Sequence, residues 1–384
     1  MPNEKDIPIR VAHIMGKMMS GGVESVVMNY YRHINREKVQ FDFIIDEDST
    51  IVPYEEIENL GGKIYKIPPY QKPVSYHKAL IRLFHENHYC IVHSHINTLS
   101  IFPLFAAKRA GIPVRIAHSH STAGKGETAR NILKYTFRPF SKVFPTHYCA
   151  CSEYAGRWLF GDKMYDSGKV TLIRNAIETS KFIFDPQIRQ TVRDELNITD
   201  KFVIIHVGRF MKQKNHSFLI EIFEKVHRQK PDSLLLLVGE GELEQEIRDK
   251  VHRLRLDNSV MFLGVRNDVH RLLQAADVFL LPSLYEGLPV VGVEAQASGL
   301  RMIASDTVTM EAKIIQSFVF MSLNQPSTAW AEKILVYQDD KRGTSTKQIV
   351  SAGFEIGVAA EKLQDFYCQC FLQAGCNVYS DAIG

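Results

Sequence analysis

Short, near-continuous apolar runs alternate with stretches of helical periodicity along almost the whole chain. The runs at 9–15, 41–46, 64–68, 91–95, 115–118, 147–152 and 170–173 read as strands. After a polar interval the same logic returns at 202–208, 233–239, 260–265, 277–282 and 301–305. Strands that are apolar on both faces belong to parallel sheets, because the helices joining them cover both sides. The alternation therefore predicts βαβ units and an α/β fold. The interval at 180–201 is polar and partly helical and precedes a new strand, which places a first domain at 1–184 and a second at 185–354. Ligands of such sheets bind beyond the strand C-terminal ends.

The rest of the composition narrows the class. A chain of 384 residues with 45% hydrophobic and 23% charged positions has room for two domains with a core each. A net charge of +3 gives no general case for nucleic acid, so any basic effect must be local. No apolar run approaches the roughly 18 residues of a membrane span, and the opening MPNEKDIPIR lacks the apolar core of a secretion signal, so a cytoplasmic protein is expected. The cysteines Cys90, Cys149, Cys151, Cys368, Cys370 and Cys376 form Cys-x-Cys pairs rather than zinc-type Cys-x2-Cys, and reduced structural thiols are expected.

Candidate chemistry concentrates at 283–299. Pro289 suits the first helical position and Gly299 the stop, so a helix is expected over 288–298. Its free N-terminal amides, with those of Gly287 and Leu288, would form an anion site. Glu286 and Glu294 are eight positions apart, about 12 Å of helical rise, enough to reach opposite ends of an extended ligand. Two acids at that spacing are otherwise a solvated face. Arg209 and Lys214 follow the run 202–208 and are placed to neutralise a diphosphate, with Lys212 competing for the second role and a plain surface cation cluster as the alternative. Gly21 and Gly22 sit between the first strand and a helix from Val23, where a missing Cβ permits tight turning and close ligand approach; the pattern is not Gly-x-Gly-x-x-Gly. His93/His95 and His118/His120 form two His-x-His pairs at strand ends, each pair on one face, and four such imidazoles could hold zinc. Arg130, Lys134, Arg138 and Lys142 recur four apart within 129–147, a basic stripe that suits anionic lipid or the solvated side of a covering helix broken at Pro139.

Taken in order, Gly-Gly-Val-Glu at 21–24, Ile-Ala-His-Ser-His at 116–120, Gly-Arg-Phe-Met-Lys-Gln-Lys at 208–214, Gly-Glu-Gly at 239–241 and the Glu-x7-Glu of Glu286 and Glu294 resemble retaining GT-B glycosyltransferases of family 4, in particular those building bacterial capsule and exopolysaccharide. The resemblance implies two Rossmann-like domains facing a cleft, with a C-terminal helix at about 355–372 crossing back onto the first. It implies transfer of a sugar, hexosyl or N-acetylhexosaminyl, from a nucleoside diphosphate donor, UDP first among carriers, to a hydroxyl of a glycan or lipid-linked acceptor. Glu286 would hold sugar hydroxyls, Glu294 the ribose, Arg209 and Lys214 the diphosphate, and Gly239 and the backbone at Val265 and Arg266 the nucleotide side. Gly21 and Gly22 would touch donor phosphate and acceptor, and His118 or His120 the donor sugar, with His118 preferred; Asn175 would pack at the hinge or cleft. No metal or other cofactor is implied, and activity should survive a strong chelator. Arg301 stands where relatives commonly have proline. A nucleotide-sugar 2-epimerase on the same scaffold, or a non-catalytic nucleotide-sugar binder, would carry many of these features. Donor isomerised without acceptor marks the former; binding without turnover marks the latter.

Overall fold

Each expected run becomes a parallel strand. In the first half these are β1 (Ile9–Gly16), β2 (Val39–Asp46), β3 (Lys63–Ile67), β4 (Ile91–Ser94), β5 (Val114–Ser119), β6 (His147–Ala150) and β7 (Val170–Leu172). In the second they are β8 (Phe202–Val207), β9 (Ser233–Val238), β10 (Val260–Phe262), β11 (Val278–Leu281), β12 (Arg301–Ser305) and β13 (Phe318–Met321). The computed structural model describes residues 7–19, 21–120, 134–338, 342–343 and 345–376. β10 stops at Phe262, short of the expected 265, because the chain turns at Gly264, whose carbonyl accepts the Gly239 N–H at 2.8 Å. β13, a short run after an irregular loop, was not anticipated.

The strands form two parallel sheets, of order β3-β2-β1-β4-β5-β6-β7 and β10-β9-β8-β11-β12-β13. The chain divides into two compact units, 1–176 with 356–384, and 177–355. The first boundary thus falls after Ala176 rather than at 184, because Ile177 and Phe182 already pack into the second unit's core. The closing helix Ile356–Gln373 belongs to the first unit and packs beside the helix Gly22–His33.

Burial follows the two-residue period of a pleated strand. In β8, Val203 and Ile205 join one core of the second unit while Phe202 and Ile204 join the other; Leu234 and Leu236 alternate with Leu235 and Leu237 in β9 in the same way. Such a sheet has no solvated face. In the first unit, Ala12, Ile14, Val92 and Ala117 pack into the core on one face. The opposite face, covered by Gly22–His33 and Ile356–Gln373, receives His13, His93 and His118. Strand order reverses at β1/β4 in one sheet and at β8/β11 in the other, and a crevice outside the carboxyl ends is expected at each reversal. No described helix is long and apolar enough to cross a membrane.

Candidate active site

The reversal at β8/β11 gathers the residues expected to bind a diphosphate. The turn after β8 runs through a short 3-10 helix, Lys212–Lys214, to Asn215, which adopts the left-handed conformation at φ 55° and gives its side-chain amide to the Pro282 carbonyl at 3.1 Å. The Leu284 N–H returns to the Gln213 carbonyl at 2.8 Å, so the loops after β8 and β11 are tied at the backbone. Side chains then converge on Glu286. Lys214 Nζ donates to its Oε1 at 2.6 Å, Ser283 Oγ to the same oxygen at 3.0 Å, and Gln213 Nε2 to Oε2 at 3.1 Å. The Lys214 and Glu286 side chains are only 15% and 9% exposed, so this ion pair is largely desolvated. Lys214 and Glu286, assigned by sequence to different parts of a ligand, are bonded to each other here. Arg209, by contrast, is exposed and has no carboxylate partner among the described residues.

Past Glu286 the helix runs Val290–Ala297. Pro289 is its cap, with extended backbone at φ −70° and ψ 117°, rather than its first helical residue, and it brings no capping oxygen. Gly292 N–H turns back to the Pro289 carbonyl at 3.0 Å, which leaves the Val290 and Val291 amides ahead of it to water or a ligand, as at many anion sites. Glu294, one turn on, keeps part of its surface, yet its carboxyl is crowded by packed neighbours, and loss of hydration raises its pKa to about 7.

The other loops of this edge close on each other through glycine. A Cβ on Gly239, at φ 132°, would stand 2.4 Å from the Gly208 carbonyl oxygen, and one on Gly241 would stand 2.6 Å from the Phe210 carbonyl. The contact these glycines permit is backbone to backbone: Phe210 N–H to Glu240 O at 3.0 Å and Leu243 N–H to Phe210 O at 2.9 Å. Val265 is 55% exposed beyond β10, while Arg266 turns its guanidinium onto Asp268 at 2.7 Å. Gly21 and Gly22 are a different matter. Neither has a positive φ; a Cβ at Gly22 would meet nothing within 4 Å, and one at Gly21 only the flexible Glu24 carboxylate. Tight turning does not explain them, since the residue that needs it is Gly16, at φ 69°.

In the first unit the two His-x-His pairs come together, with His13 as an unanticipated fifth member. β1 pairs with β4 so that His13 lies beside His93. His13 Nδ1 is 2.9 Å from His95 Nε2, His95 Nδ1 is 2.9 Å from His120 Nε2, and His93 Nε2 is 3.1 Å from His118 Nδ1. Tyr367 of the closing helix completes the set, its hydroxyl 2.6 Å from His93 Nδ1. All five rings are buried, and desolvation holds them neutral: His13 and His120 are pulled down to about 3, and His93, His95 and His118 lie well below the ordinary value. His118, preferred from sequence as the sugar contact, is enclosed by its neighbours at 2% exposure; His120 stands at the strand's end with 8%. Asn175 is buried. The basic stripe is not one α-helical face, because Arg138–Lys142 is a 3-10 turn started by Pro139; its Arg130 lies outside the described residues.

Comparison with known proteins gives the family. The Glycosyltransferase Family 4 model matches residues 20–181 and the Glycosyl transferases group 1 model residues 188–353. The chain belongs to glycosyltransferase family 4. The glycosyltransferase EpsF of Bacillus subtilis is 37% identical over 332 residues, 85% of this chain and 86% of its own length. An Escherichia coli UDP-Gal:alpha-D-GlcNAc-diphosphoundecaprenol alpha-1,3-galactosyltransferase is 25% identical across 94% of this chain and 96% of its own. Among solved structures, Anabaena HepE in complex with UDP superposes with a TM-score of 0.74 at 17% identity, covering 94% of this chain and all of that one, which speaks to fold.

Within this family 4 glycosyltransferase, sequence reasoning missed Gln213, Ser283, His13 and Tyr367. Gln213 and Ser283 have no signal of their own, being polar residues in loops. His13 had one: it breaks an apolar run at a position whose neighbours, Ala12 and Ile14, point the other way. Arg301, the departure from the family pattern, begins β12 and lays its guanidinium over Tyr337 at 5.5 Å.

Proposed function

We propose that this glycosyltransferase moves a hexosyl or N-acetylhexosaminyl group from a UDP-linked donor to a hydroxyl of a lipid-linked glycan during assembly of a surface polysaccharide, with retention at the anomeric carbon. The observation that carries the donor half is the meeting, at the β8/β11 reversal, of an uncapped helix start, the buried Lys214–Glu286 pair and an unpartnered Arg209. A diphosphate there meets amides of Gly287 and Leu288, Arg209 and Lys214, which supply the positive charge a metal would otherwise bring. Glu286, fixed by Lys214, Gln213 and Ser283, faces sugar hydroxyls, and Glu294 the ribose. The lipid-linked acceptor is supported by the diphosphoundecaprenol-linked acceptor named in the activity of the Escherichia coli relative.

In the reaction the bond from the anomeric carbon to the β-phosphate oxygen breaks and a bond to the acceptor oxygen forms on the same face. The acceptor's proton passes to the departing phosphate oxygen. Charge grows on that oxygen as the bond lengthens, so cations that bind it more tightly then lower the barrier rather than only KM. Each charge-assisted contact contributes about 1.5–3 kcal/mol. Arg209→Ala should therefore weaken UDP binding about 10–100-fold by calorimetry and abolish transfer, with an unchanged circular dichroism spectrum. Unaltered UDP affinity in that variant overturns the site. Donor isomerised in the absence of acceptor would indicate the epimerase instead.

Lipid-linked acceptors need access to a membrane face. The 3-10 segment leaves Phe140 and Val143 half exposed beside Lys142, with Tyr135 exposed near Lys134. Sedimentation with acidic, but not neutral, vesicles is expected, and should fade with salt. No binding to acidic vesicles at low salt would remove the membrane contact.

A further inference from the structure

The five-histidine cluster is not needed by any step above. Among the described residues it contains two groups of three, His13/His93/His95 and His95/His118/His120, each offering one ligand nitrogen per ring within 4.8 Å of the others. A parallel sheet seldom spends its buried face on polar rings, because each brings two nitrogens that must find partners. Here they do so only in part. The rings bond one another in pairs, and His13 Nε2 and His118 Nε2 have no partner while fully enclosed. Among the described residues no carboxylate lines the cavity, whose other walls are Val26, Val27, Tyr30, Phe41, Ile173, Leu363 and Tyr367.

We propose that the first unit binds one zinc-class transition-metal ion through His13, His93 and His95. Neutral imidazole is a ligand for zinc, copper, nickel and iron, whereas magnesium and calcium require a set of carboxylate, carbonyl or water oxygens that a shell of histidines with a single tyrosine hydroxyl does not supply. Three histidines leave a fourth position, and the Tyr367 hydroxyl, 2.6 Å from His93 Nδ1, is the oxygen nearest to filling it. Coordination by the phenol would release its proton to solvent and offset part of the buried positive charge. His118 and His120 then act as the outer partners that orient ligand rings, through their present contacts with His93 and His95. Such an ion ties β1, β4 and the closing helix Ile356–Gln373 together within one unit. Its role is stabilising, separate from the sugar-transfer chemistry carried by the other unit.

The test uses the full chain without a polyhistidine tag, stripped by chelator, reloaded with zinc chloride and passed over a desalting column before elemental analysis. One zinc per chain is expected, with a raised melting temperature in added zinc. Cobalt loading should give the visible absorption of a tetrahedral site. His13→Asn and His95→Asn should each lose the zinc, while His252→Asn, an exposed histidine on another element, should keep it. Absence of retained zinc in the wild type, or full stoichiometry in His13→Asn, overturns the proposal. Should the variants fail to fold, the wild-type cobalt spectrum decides: its tetrahedral bands support the site, and an octahedral spectrum like that of aqueous cobalt overturns it.

Discussion

Lys214→Met isolates the buried ion pair at the heart of the donor site. With Lys214 Nζ 2.6 Å from Glu286 Oε1, the gross Coulomb attraction is about 6 kcal/mol at an effective dielectric of about 20, and desolvation of both ions offsets most of it. The single variant feels a different quantity. It strands a carboxylate that is 9% exposed with only Gln213 and Ser283 as donors. Stranding a fully buried charge costs about 3–5 kcal/mol, and the remaining exposure and hydrogen bonds reduce this to about 2–4 kcal/mol. Adding Glu286→Leu removes the stranded charge and fills its volume, leaving about 1 kcal/mol for the unpaired Ser283 hydroxyl. The double variant should thus be more stable than Lys214→Met alone. The chain has two tryptophans, Trp158 in the first unit and Trp330 fully buried in the second, so a Trp158→Phe background reports urea unfolding of the second unit by fluorescence. Costs that simply add in the double variant, or a single variant within about 0.5 kcal/mol of its parent, would refute the reasoning.

Two further outcomes follow from the same edge of the sheet. Glu294 has a folded pKa of about 7 against an ordinary 4.5, so its contribution is fully present below pH 4.5, falls as pH rises, and is lost above pH 7. The loss is at most about 3.5 kcal/mol, at about 1.4 kcal/mol per pKa unit; Glu294→Gln should flatten stability across that window, and a parallel curve would show the carboxyl is not desolvated. Gly241→Ala places a Cβ 2.6 Å from the Phe210 carbonyl oxygen and must separate the loops after β8 and β9, so a loss of about 2 kcal/mol or more is expected by urea unfolding, together with weaker UDP binding. An unaffected variant would mean those loops are not held in contact.

The strands were legible because burial on both faces leaves a local mark, a run without polar interruption, and the site loops because glycine, proline and charge cluster at strand ends. The closing helix was expected on the first unit only by resemblance, since its periodicity fixes a buried stripe but not which surface covers it. Helix boundaries were off where one residue decides them: Pro289 suits either the cap or the first turn, and only its ψ of 117° separates the two.

By itself, then, the sequence determined the alternation of strand and helix, the two-unit plan and the residue types available beyond each strand. Tertiary structure decided who meets whom. Lys214 and Glu286 are 72 positions apart and touch only because the chain reverses direction across the sheet to lay β11 beside β8. His13 joins His95, 82 positions away, for the same reason at β1 and β4. Hydrophobic period specifies which face of a strand is buried, but strand order is a property of the whole packed sheet, and contacts across it carry no local signal.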